Sequence, residues 1–398
     1  MARANPGRVA AARAIMAVET GSHVEDVLAR VAPEAGPDRA LAWHIALGVL
    51  RRRGTVDALL QPHVKKGLEG LDPPVLAALR VGAFEKAFSR TPPHAAVSQG
   101  VEVCRAVGGR RAAGLVNAVL RRVEADSLSP GPGADLPSWL CERWLHAETW
   151  LERLQRPAPV CGVLRGPRVE GLPTVPLDAG LLRVEGAFAL APDVGAIDAL
   201  PGFSEGAWWV MDPAAAAVAD LVLARLAADT PTVLDACAAP GGKSLRMASR
   251  GARVTAVDQS GSRLERVGEG SRRTGLPVRT LRHDWLDGPH PELGRFDAVL
   301  VDAPCTGLGT VRRHPEIKWR RLASDPAGMA LRQAPILEAA SHHVGPGGVL
   351  VYAVCSPMEE EGLPVVSSLE GWRVVDQLVT FPPAGDEDAF QAYVLERA

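Results

Sequence analysis

Residues 234–244 read Leu-Asp-Ala-Cys-Ala-Ala-Pro-Gly-Gly-Lys-Ser, an apolar segment that runs into a glycine pair. Apolar segments of strand length recur beyond it, separated by expected helices at Gly242–Arg250, Gly261–Thr274 and Asp325–Val344. The expected strands are Thr232–Ala236, Val254–Asp258, Val278–Leu281, Asp297–Asp302 and Val349–Val354. This alternation predicts an α/β domain with a mostly parallel, doubly wound sheet and right-handed crossovers.

Two further blocks end expected strands, and each carries a cysteine. They read Val-Asp-Ala-Pro-Cys at 301–305 and Tyr-Ala-Val-Cys-Ser at 352–356. Ligands of such sheets bind outside the carboxyl ends of the strands, where both blocks and the glycine pair fall. A cysteine thiolate beside a cofactor loop is typical of nucleophilic catalysis.

The glycine loop argues against two common nucleotides. A Walker-type loop needs glycine five residues before Gly242, where Cys237 stands, and the G-x-G-x-x-G pattern is absent, so ATP and NAD are poor ligands. Asp258 ends the second strand, where a carboxylate accepts from both ribose hydroxyls. Asp284 follows the third strand and is expected to reach the adenine side. This set suits S-adenosylmethionine, whose sulfonium carries no phosphate.

Length and composition limit which classes of protein this chain can belong to. A chain of 398 residues has room for two or three domains, and 47% apolar with 23% charged residues is typical of a globular protein. No apolar run reaches about 18 residues, so no membrane span is expected. Six cysteines without C-x-x-C spacing predict no disulfide, structural zinc or other metal site, and they favour the reducing cytoplasm.

The front of the chain, residues 6 to about 125, is predicted to be an all-α bundle. Asp38 is expected to cap a helix that Gly54 ends, and Asp72 before Pro73 predicts the start of another helix. Residues 1–126 hold 18 Lys and Arg against 12 Asp and Glu, although the whole chain has a net charge of −2. This surplus indicates either contact with phosphates or simply a solvated helix face.

The middle of the chain is predicted to be a connector. Ser127–Ala134 contains two prolines and two glycines and is an expected linker, followed by a helix around Trp139–Leu154. Weak alternation over 157–206 predicts a small β-rich insert. The predicted domains are therefore 1–126, 127–206 and 207–398.

Together these blocks resemble the bacterial Sun/Nop-type RNA cytosine-C5 methyltransferases that carry an N-terminal NusB-like RNA-binding domain. The NusB-like resemblance covers nearly all of the helical segment and rests on residues 47–52 (LGVLRR), 92–97 (PPHAAV) and 114–122 (GLVNAVLRR). It implies a Rossmann-like catalytic domain that uses S-adenosylmethionine. The insert departs from the family because it lacks the usual Arg-x-Asn-x-Leu-Lys block.

The resemblance also implies roles for single residues. Cys355 is the nucleophile that adds to carbon 6 of cytosine, Cys305 assists product elimination, and Asp302 binds N3 or the exocyclic amine. Val354 and Thr306 stand where the family usually has Thr and Ser. The methyl-donor site comprises Cys237, Ala238, Ala239, Pro240, Gly241, Gly242, Lys243, Asp258, Asp284 and Asp302. The reversed cysteine roles, as in DNA cytosine methyltransferases, stay open.

The resemblance extends to the loop after Cys305 and to the substrate. Residues 314–320 (HPEIKWR), with Arg312 and Arg313, are expected to contact phosphates and to stack on a base. The NusB-like front favours 16S rRNA as the substrate, with an unstacked cytosine as the target, and a cytoplasmic monomer is expected. The alternatives are tRNA or another rRNA site, or a non-catalytic RNA-binding or antitermination protein.

Overall fold

The computed structural model describes residues 3–124, 131 and 133–398. The chain divides into two compact units, of which the first comprises 1–156 with 311–322 and the second 157–310 with 323–398. We call them the helical unit and the sheet unit. The predicted linker 127–134 lies mostly outside the described residues, at 127–130 and 132.

The helical unit is built from amphipathic helices around one apolar core that includes Ile15, Leu50, Leu79 and Leu120. The helices are α1 (Pro6–Glu19), α2 (Val24–Val31), α3 (Pro37–Arg51), α4 (Arg53–Leu60), α5 (Pro73–Phe88), α6 (Pro93–Ala106), α7 (Ala113–Arg122), α8 (Ser138–Trp144) and α9 (Glu148–Arg153). Asp72 precedes α5 as predicted.

Three helix boundaries differ from the prediction. Asp38 does not cap α3, because the helix begins at Pro37 after Gly36 and Asp38 lies in its first turn. Gly54 does not end a helix: α3 ends at Arg51, and Gly54 lies inside α4. A Cβ at Gly54 would lie 1.9 Å from the carbonyl oxygen of Ala134, so close backbone approach explains this glycine. The helix expected over 139–154 is broken into α8 and α9, which cluster with the helical unit rather than with the insert.

The sheet unit begins with the predicted β-rich insert. It is a four-stranded antiparallel sheet in the order β2-β3-β1-β4. Its strands are β1 (Cys161–Leu164), β2 (Thr174–Val175), β3 (Ala187–Leu190) and β4 (Trp208–Val210). Trp208 fills its small core, edge-on to Phe188 and Phe203.

The main sheet has seven strands. They are β5 (Thr232–Asp235), β6 (Arg253–Asp258), β7 (Val278–Arg282), β8 (Phe296–Asp302), β9 (Val344–Val354), β10 (Trp372–Val379) and β11 (Gln391–Arg397). The helices of this unit are α10 (Pro213–Leu223), α11 (Gly242–Ser249), α12 (Gly261–Thr274), α14 (Asp325–Ser341) and α15 (Leu363–Ser367), whereas α13 (Ile317–Arg320) belongs to the helical unit. The predicted combination of helical bundle, β-rich insert and α/β domain is confirmed.

The order of the sheet positions the candidate site. It reads β10-β11-β9-β8-β5-β6-β7, in which β9, β8, β5, β6 and β7 pair in parallel. The chain order reverses between β5 and β8, and clefts form at such switch points. The last two strands, β10 and β11, were not predicted, and β11 inserts antiparallel beside β9.

Candidate active site

The loop between β5 and α11 forms one side of the site. Gly241 has φ 108°, a left-handed conformation that glycine adopts without strain, and a Cβ there would lie 3.2 Å from Val267. The amide of Ala238 donates to the carbonyl of Val257 at 2.9 Å, which holds the loop against the end of β6. The backbone of residues 238–242 thus faces the carboxyl edge of the sheet.

Asp235, which the sequence analysis did not assign to the site, lies buried beneath this loop. Its Oδ2 accepts a hydrogen bond from Ser244 Oγ at 2.6 Å, whereas its Oδ1 has no hydrogen-bond partner among the described residues. Burial raises the pKa of Asp235 to about 7. Burial also raises the pKa of the Cys237 thiol well above its usual value, with Asp235 adding to the effect, so Cys237 is a neutral thiol.

Asp258 ends β6 and is 4% exposed. Its two carboxylate oxygens accept from the backbone amides of Ser260, at 2.9 Å, and Ala239, at 3.3 Å. The Arg263 guanidinium lies 3.6 Å from the same carboxylate. Asp258 therefore holds the glycine loop in place, and a carboxylate still offers further lone pairs to a ligand.

Asp284 lies two residues beyond the end of β7 and is partly exposed. Its Oδ1 accepts from the amide of Leu286 at 3.1 Å and so starts a short 3-10 turn. This is a capping contact that uses one of the two carboxylate oxygens.

Lys243 and Asp302 meet at the centre of the candidate site. Lys243 Nζ lies 2.6 Å from Asp302 Oδ2 and 5.0 Å from the centre of the Phe390 ring. Burial alone would lower the pKa of Lys243, but attraction to Asp302 and Cys355 outweighs it, and the pKa is raised. Lys243 is therefore a cation within electrostatic reach of the Cys355 sulfur.

The two cysteines lie side by side although 50 residues separate them. Cys305 Sγ is 3.3 Å from Cys355 Sγ, because β8 and β9 pair in parallel with Asp302 opposite Ala353. The hydrogen bond to Cys355 and burial raise the pKa of the Cys305 thiol well above its usual value. Cys305 therefore keeps its proton beside Cys355.

A buried carboxylate behind the cysteines was missed by the sequence analysis. Glu361 is 0% exposed and accepts from Thr306 and Ser356, the residues that follow the two cysteines. The available signal was the run Glu359–Glu361 directly after the Cys355 block, but nothing local indicates that only the third carboxylate is buried.

The loop that was expected to stack on RNA has a different environment. Residues 311–322 cluster with the helical unit, where Trp319 Nε1 donates to the carbonyl of Leu50 at 2.7 Å and Lys318 Nζ donates to that of Arg51 at 2.9 Å. Lys318 is 1% exposed, and Arg312 is also buried. The expectation of phosphate and base contacts is wrong for these three side chains, which serve as packing and hydrogen-bonding groups.

The helical unit carries a cleft of about 750 Å³ between α1, α6 and the end of α2. It is lined by apolar residues such as Val9, Ala10 and Val31, by Arg3, Arg13, Arg105 and Arg110, and by one acid, Glu102, which pairs with Arg105. The basic surplus of the front segment is thus partly concentrated on one concave surface. Among the described residues, no helix is both long and apolar enough to cross a bilayer.

Comparison with known proteins identifies the family. A model of the 16S rRNA methyltransferase RsmB/F family matches residues 221–388, and a NusB family model matches residues 5–125. Ribosomal RNA small subunit methyltransferase B of Thermus thermophilus is 37% identical over 92% of this chain and 87% of its own length. This chain belongs to the RsmB/F family. The enzyme of the same name from Xanthomonas campestris is 36% identical over 89% of this chain and 85% of its own length.

A solved structure supports the fold of the RsmB/F chain. The crystal structure of PH0851 matches over 100% of both chains with a TM-score of 0.79 at 22% identity. As a family member, the chain is an S-adenosylmethionine-dependent rRNA methyltransferase. Its residues fit that cofactor: Asp235, Asp258 and Asp302 supply carboxylate acceptors around a loop with no phosphate cradle, and Asp235 Oδ1 is a buried acceptor without a partner among the described residues.

Proposed function

We propose that this RsmB/F-family enzyme forms 5-methylcytosine in 16S rRNA through a covalent bond between Cys355 and carbon 6 of the target cytosine. The observation that carries the proposal is the 3.3 Å separation of Cys305 Sγ and Cys355 Sγ, beside the ion pair of Lys243 and Asp302. Bound S-adenosylmethionine supplies the methyl group. Every other chemical task falls to the side chains of the site.

The raised pKa of the Cys305 thiol favours Cys355 as the nucleophile. Because the hydrogen bond to Cys355 and burial raise the pKa of Cys305, Cys305 is the sulfur that keeps its proton, and the proton can be donated toward Cys355. The ammonium of Lys243 provides the counter-charge for the Cys355 sulfur. Attack forms the S–C6 bond, the C5–C6 π electrons form a C4–C5 double bond, and the C4–N3 π electrons move to N3, which makes carbon 5 an enamine-like nucleophile.

Asp302 and Lys243 would hold the pyrimidine during this attack. A carboxylate at this strand end accepts from the exocyclic amine, which cytosine has and uracil lacks. Its partner Lys243 keeps the Asp302 carboxylate oriented at 2.6 Å. Asp302 therefore supports selection of cytosine, and the Lys243 ammonium would stabilise the negative charge that develops on the ring.

Cys305 would complete the reaction. Once Cys355 is bonded to carbon 6, its sulfur no longer raises the pKa of Cys305, so the Cys305 thiol releases its proton to solvent and, as a thiolate, accepts the proton of carbon 5. The C5–H electrons re-form the C5–C6 double bond, and the C6–S electrons return to Cys355. This sequence releases product and restores the Cys355 thiolate.

The experiment that tests the chemistry compares two variants with 16S rRNA and S-adenosylmethionine. Cys355→Ala should abolish methyl transfer and any covalent protein–RNA adduct. Cys305→Ala should attack and methylate, then stall as an adduct visible on a denaturing gel. A stalled adduct in Cys355→Ala with none in Cys305→Ala would reverse the roles, and absence of adducts in both would oppose covalent catalysis.

The choice of 16S rRNA rests on the family and on the names of its relatives. Bisulfite sequencing of total RNA from a deletion strain should show the loss of one or more 5-methylcytosines in 16S rRNA and their return on complementation. If 5-methylcytosine were lost only from tRNA or 23S rRNA, the proposed substrate would be wrong, but the proposed chemistry would stand.

A further inference from the structure

A buried carboxylate is the common anchor of the two cysteine loops. Glu361 Oε1 accepts from the backbone amide of Thr306 at 2.7 Å, and its Oε2 accepts from the Thr306 hydroxyl at 2.5 Å. The Ser356 hydroxyl also donates to Oε2. Thr306 follows Cys305, and Ser356 follows Cys355, so one side chain binds the residue next to each sulfur.

Further contacts fix Glu361 itself. Gln333 Nε2, on α14, donates to Oε1 at 3.1 Å and to the carbonyl of Pro304 at 3.0 Å. The hydroxyl of Tyr352, in β9, donates to the Glu361 carbonyl at 2.8 Å. The carboxylate is therefore bonded to both cysteine loops and to α14, and each of these contacts is a hydrogen bond that it accepts.

The placement is chemically costly, which indicates a purpose beyond packing. A carboxylate with no exposure needs donors at both oxygens, and an apolar side chain of similar volume commonly packs at lower cost. The Thr306 and Ser356 hydroxyls are only 3.0 Å apart, so a single carboxylate bridges the two loops where the sulfurs must approach.

We propose that Glu361 is a positioning residue that sets the distance between the Cys305 and Cys355 sulfurs. It touches neither substrate nor cofactor and acts through Thr306 and Ser356. The inference rests on the proposed function of the two cysteines, because it is their 3.3 Å separation that Glu361 maintains. Misplacement of reacting groups by about 1 Å can cost about 100-fold in rate.

The test uses the full-length chain with Glu361→Gln, which keeps the volume but replaces an acceptor oxygen by an NH₂ group. Glu359→Gln is the matched control, because Glu359 is exposed and two residues away. Thr306→Val is the second variant, since it removes one hydroxyl donor and preserves shape. The kcat for methyl transfer should fall at least tenfold in Glu361→Gln and less in Thr306→Val, with the Kd for S-adenosylmethionine within twofold of wild type.

A second readout is independent of methylation. Diamide oxidises two neighbouring thiols to a disulfide and takes up two electrons and two protons as it becomes a hydrazine. The rate of Cys305–Cys355 disulfide formation, measured by mass spectrometry, should fall at least fivefold in Glu361→Gln and stay at the wild-type value in Glu359→Gln. Circular dichroism and the thermal midpoint verify that each variant is folded.

The outcomes separate the two proposals. Equal disulfide rates and equal kcat in wild type and in a folded Glu361→Gln or Thr306→Val variant would overturn the positioning role. The positioning role is also overturned if the wild-type sulfurs form no disulfide. If the wild-type enzyme makes no 5-methylcytosine, the proposed function is wrong. The disulfide rates would still show whether Glu361 controls the distance between the two sulfurs.

Discussion

Lys318 is 1% exposed, and its Nζ donates to the carbonyl of Arg51 at 2.9 Å. Burial lowers its pKa to about 7, with Arg51 and Arg52 contributing in the same direction and Asp135 opposing them. Between pH 7 and about 10 the unfolded chain thus holds a proton that the folded chain lacks. By linkage, the free energy of unfolding rises with pH in this window, by at most about 1.4 kcal/mol per pH unit.

We predict that Lys318→Met removes this pH dependence. The free energy of unfolding of the wild type should fall as the pH falls from 9 toward 7. The difference in this free energy between wild type and Lys318→Met should therefore change with pH by up to about 1.4 kcal/mol per pH unit. Urea unfolding at several pH values measures it, with Lys65→Met as an exposed control. A difference that is constant from pH 7 to 9 would show that Lys318 stays charged when folded.

Asp258 combines burial with contacts to the glycine loop, so its removal acts on the cofactor site. Asp258→Ala should weaken S-adenosylmethionine binding by about 1.5–3 kcal/mol, the usual cost of losing charge-assisted hydrogen bonds. Calorimetry of the folded variant measures it, and Asp287→Ala, an exposed acid after β7, is the control. An unchanged Kd in folded Asp258→Ala would remove this residue from the site.

In the helical unit, the effect of a Gly→Ala substitution on stability depends on how closely the neighbouring backbone approaches the helix. In α4, a Cβ at Gly54 would meet the Ala134 carbonyl oxygen at 1.9 Å, a clash that backbone cannot easily relieve. In α7, a Cβ at Gly114 would meet no atom of the described residues within 4 Å. The same substitution therefore has opposite expected signs in these two helices.

Gly54→Ala should lower the thermal midpoint despite the better helix propensity of alanine. Gly114→Ala should leave the midpoint unchanged or raise it, because propensity is worth up to about 1 kcal/mol and nothing opposes it. Differential scanning calorimetry of both variants compares them directly. Equal effects would mean that residues near Ala134 shift aside at little cost.

At the scale of the whole molecule, the chain returns to the helical unit at 311–322, so the front segment is not a detachable module. Deleting residues 1–135 removes Leu50 and Arg51, the partners of Trp319 and Lys318. Trypsin should then cleave rapidly after Lys318 and Arg320, while the full-length chain resists there. Identical cleavage kinetics would show that 311–322 does not need these partners.

RNA affinity is expected to depend on the cleft of the helical unit. Replacing Arg3, Arg13 and Arg110 by Gln should weaken RNA binding and reduce the slope of log K against log salt by about 2–3, if each arginine contacts a phosphate. The control replaces three exposed cations outside the cleft, Lys65, Lys66 and Arg90. Equal losses in both triple variants would assign the effect to net charge alone.

Much of the fold could be predicted because its signals are local. The period of apolar residues marked five parallel strands to within a few residues, and α12 matched its predicted range Gly261–Thr274. The glycine pair, Asp258 and the two cysteines lie at strand ends as predicted, because the carboxyl ends of parallel strands share one edge of a sheet. Neither β10 nor β11 was predicted, since antiparallel strands after the last crossover lack that repeating pattern.

The contacts that no local pattern encodes join residues far apart in the chain. Glu361 has the same local sequence signal as Glu359, yet it lies buried against Thr306, 55 residues away. Trp319 and Lys318 were predicted to be part of an RNA-binding loop. They instead donate hydrogen bonds to backbone carbonyl groups that are 269 and 267 residues away in the chain. Short-range periodicity dictates helices and strands, whereas burial, which sets the partners and charge of these groups, arises only when the elements pack.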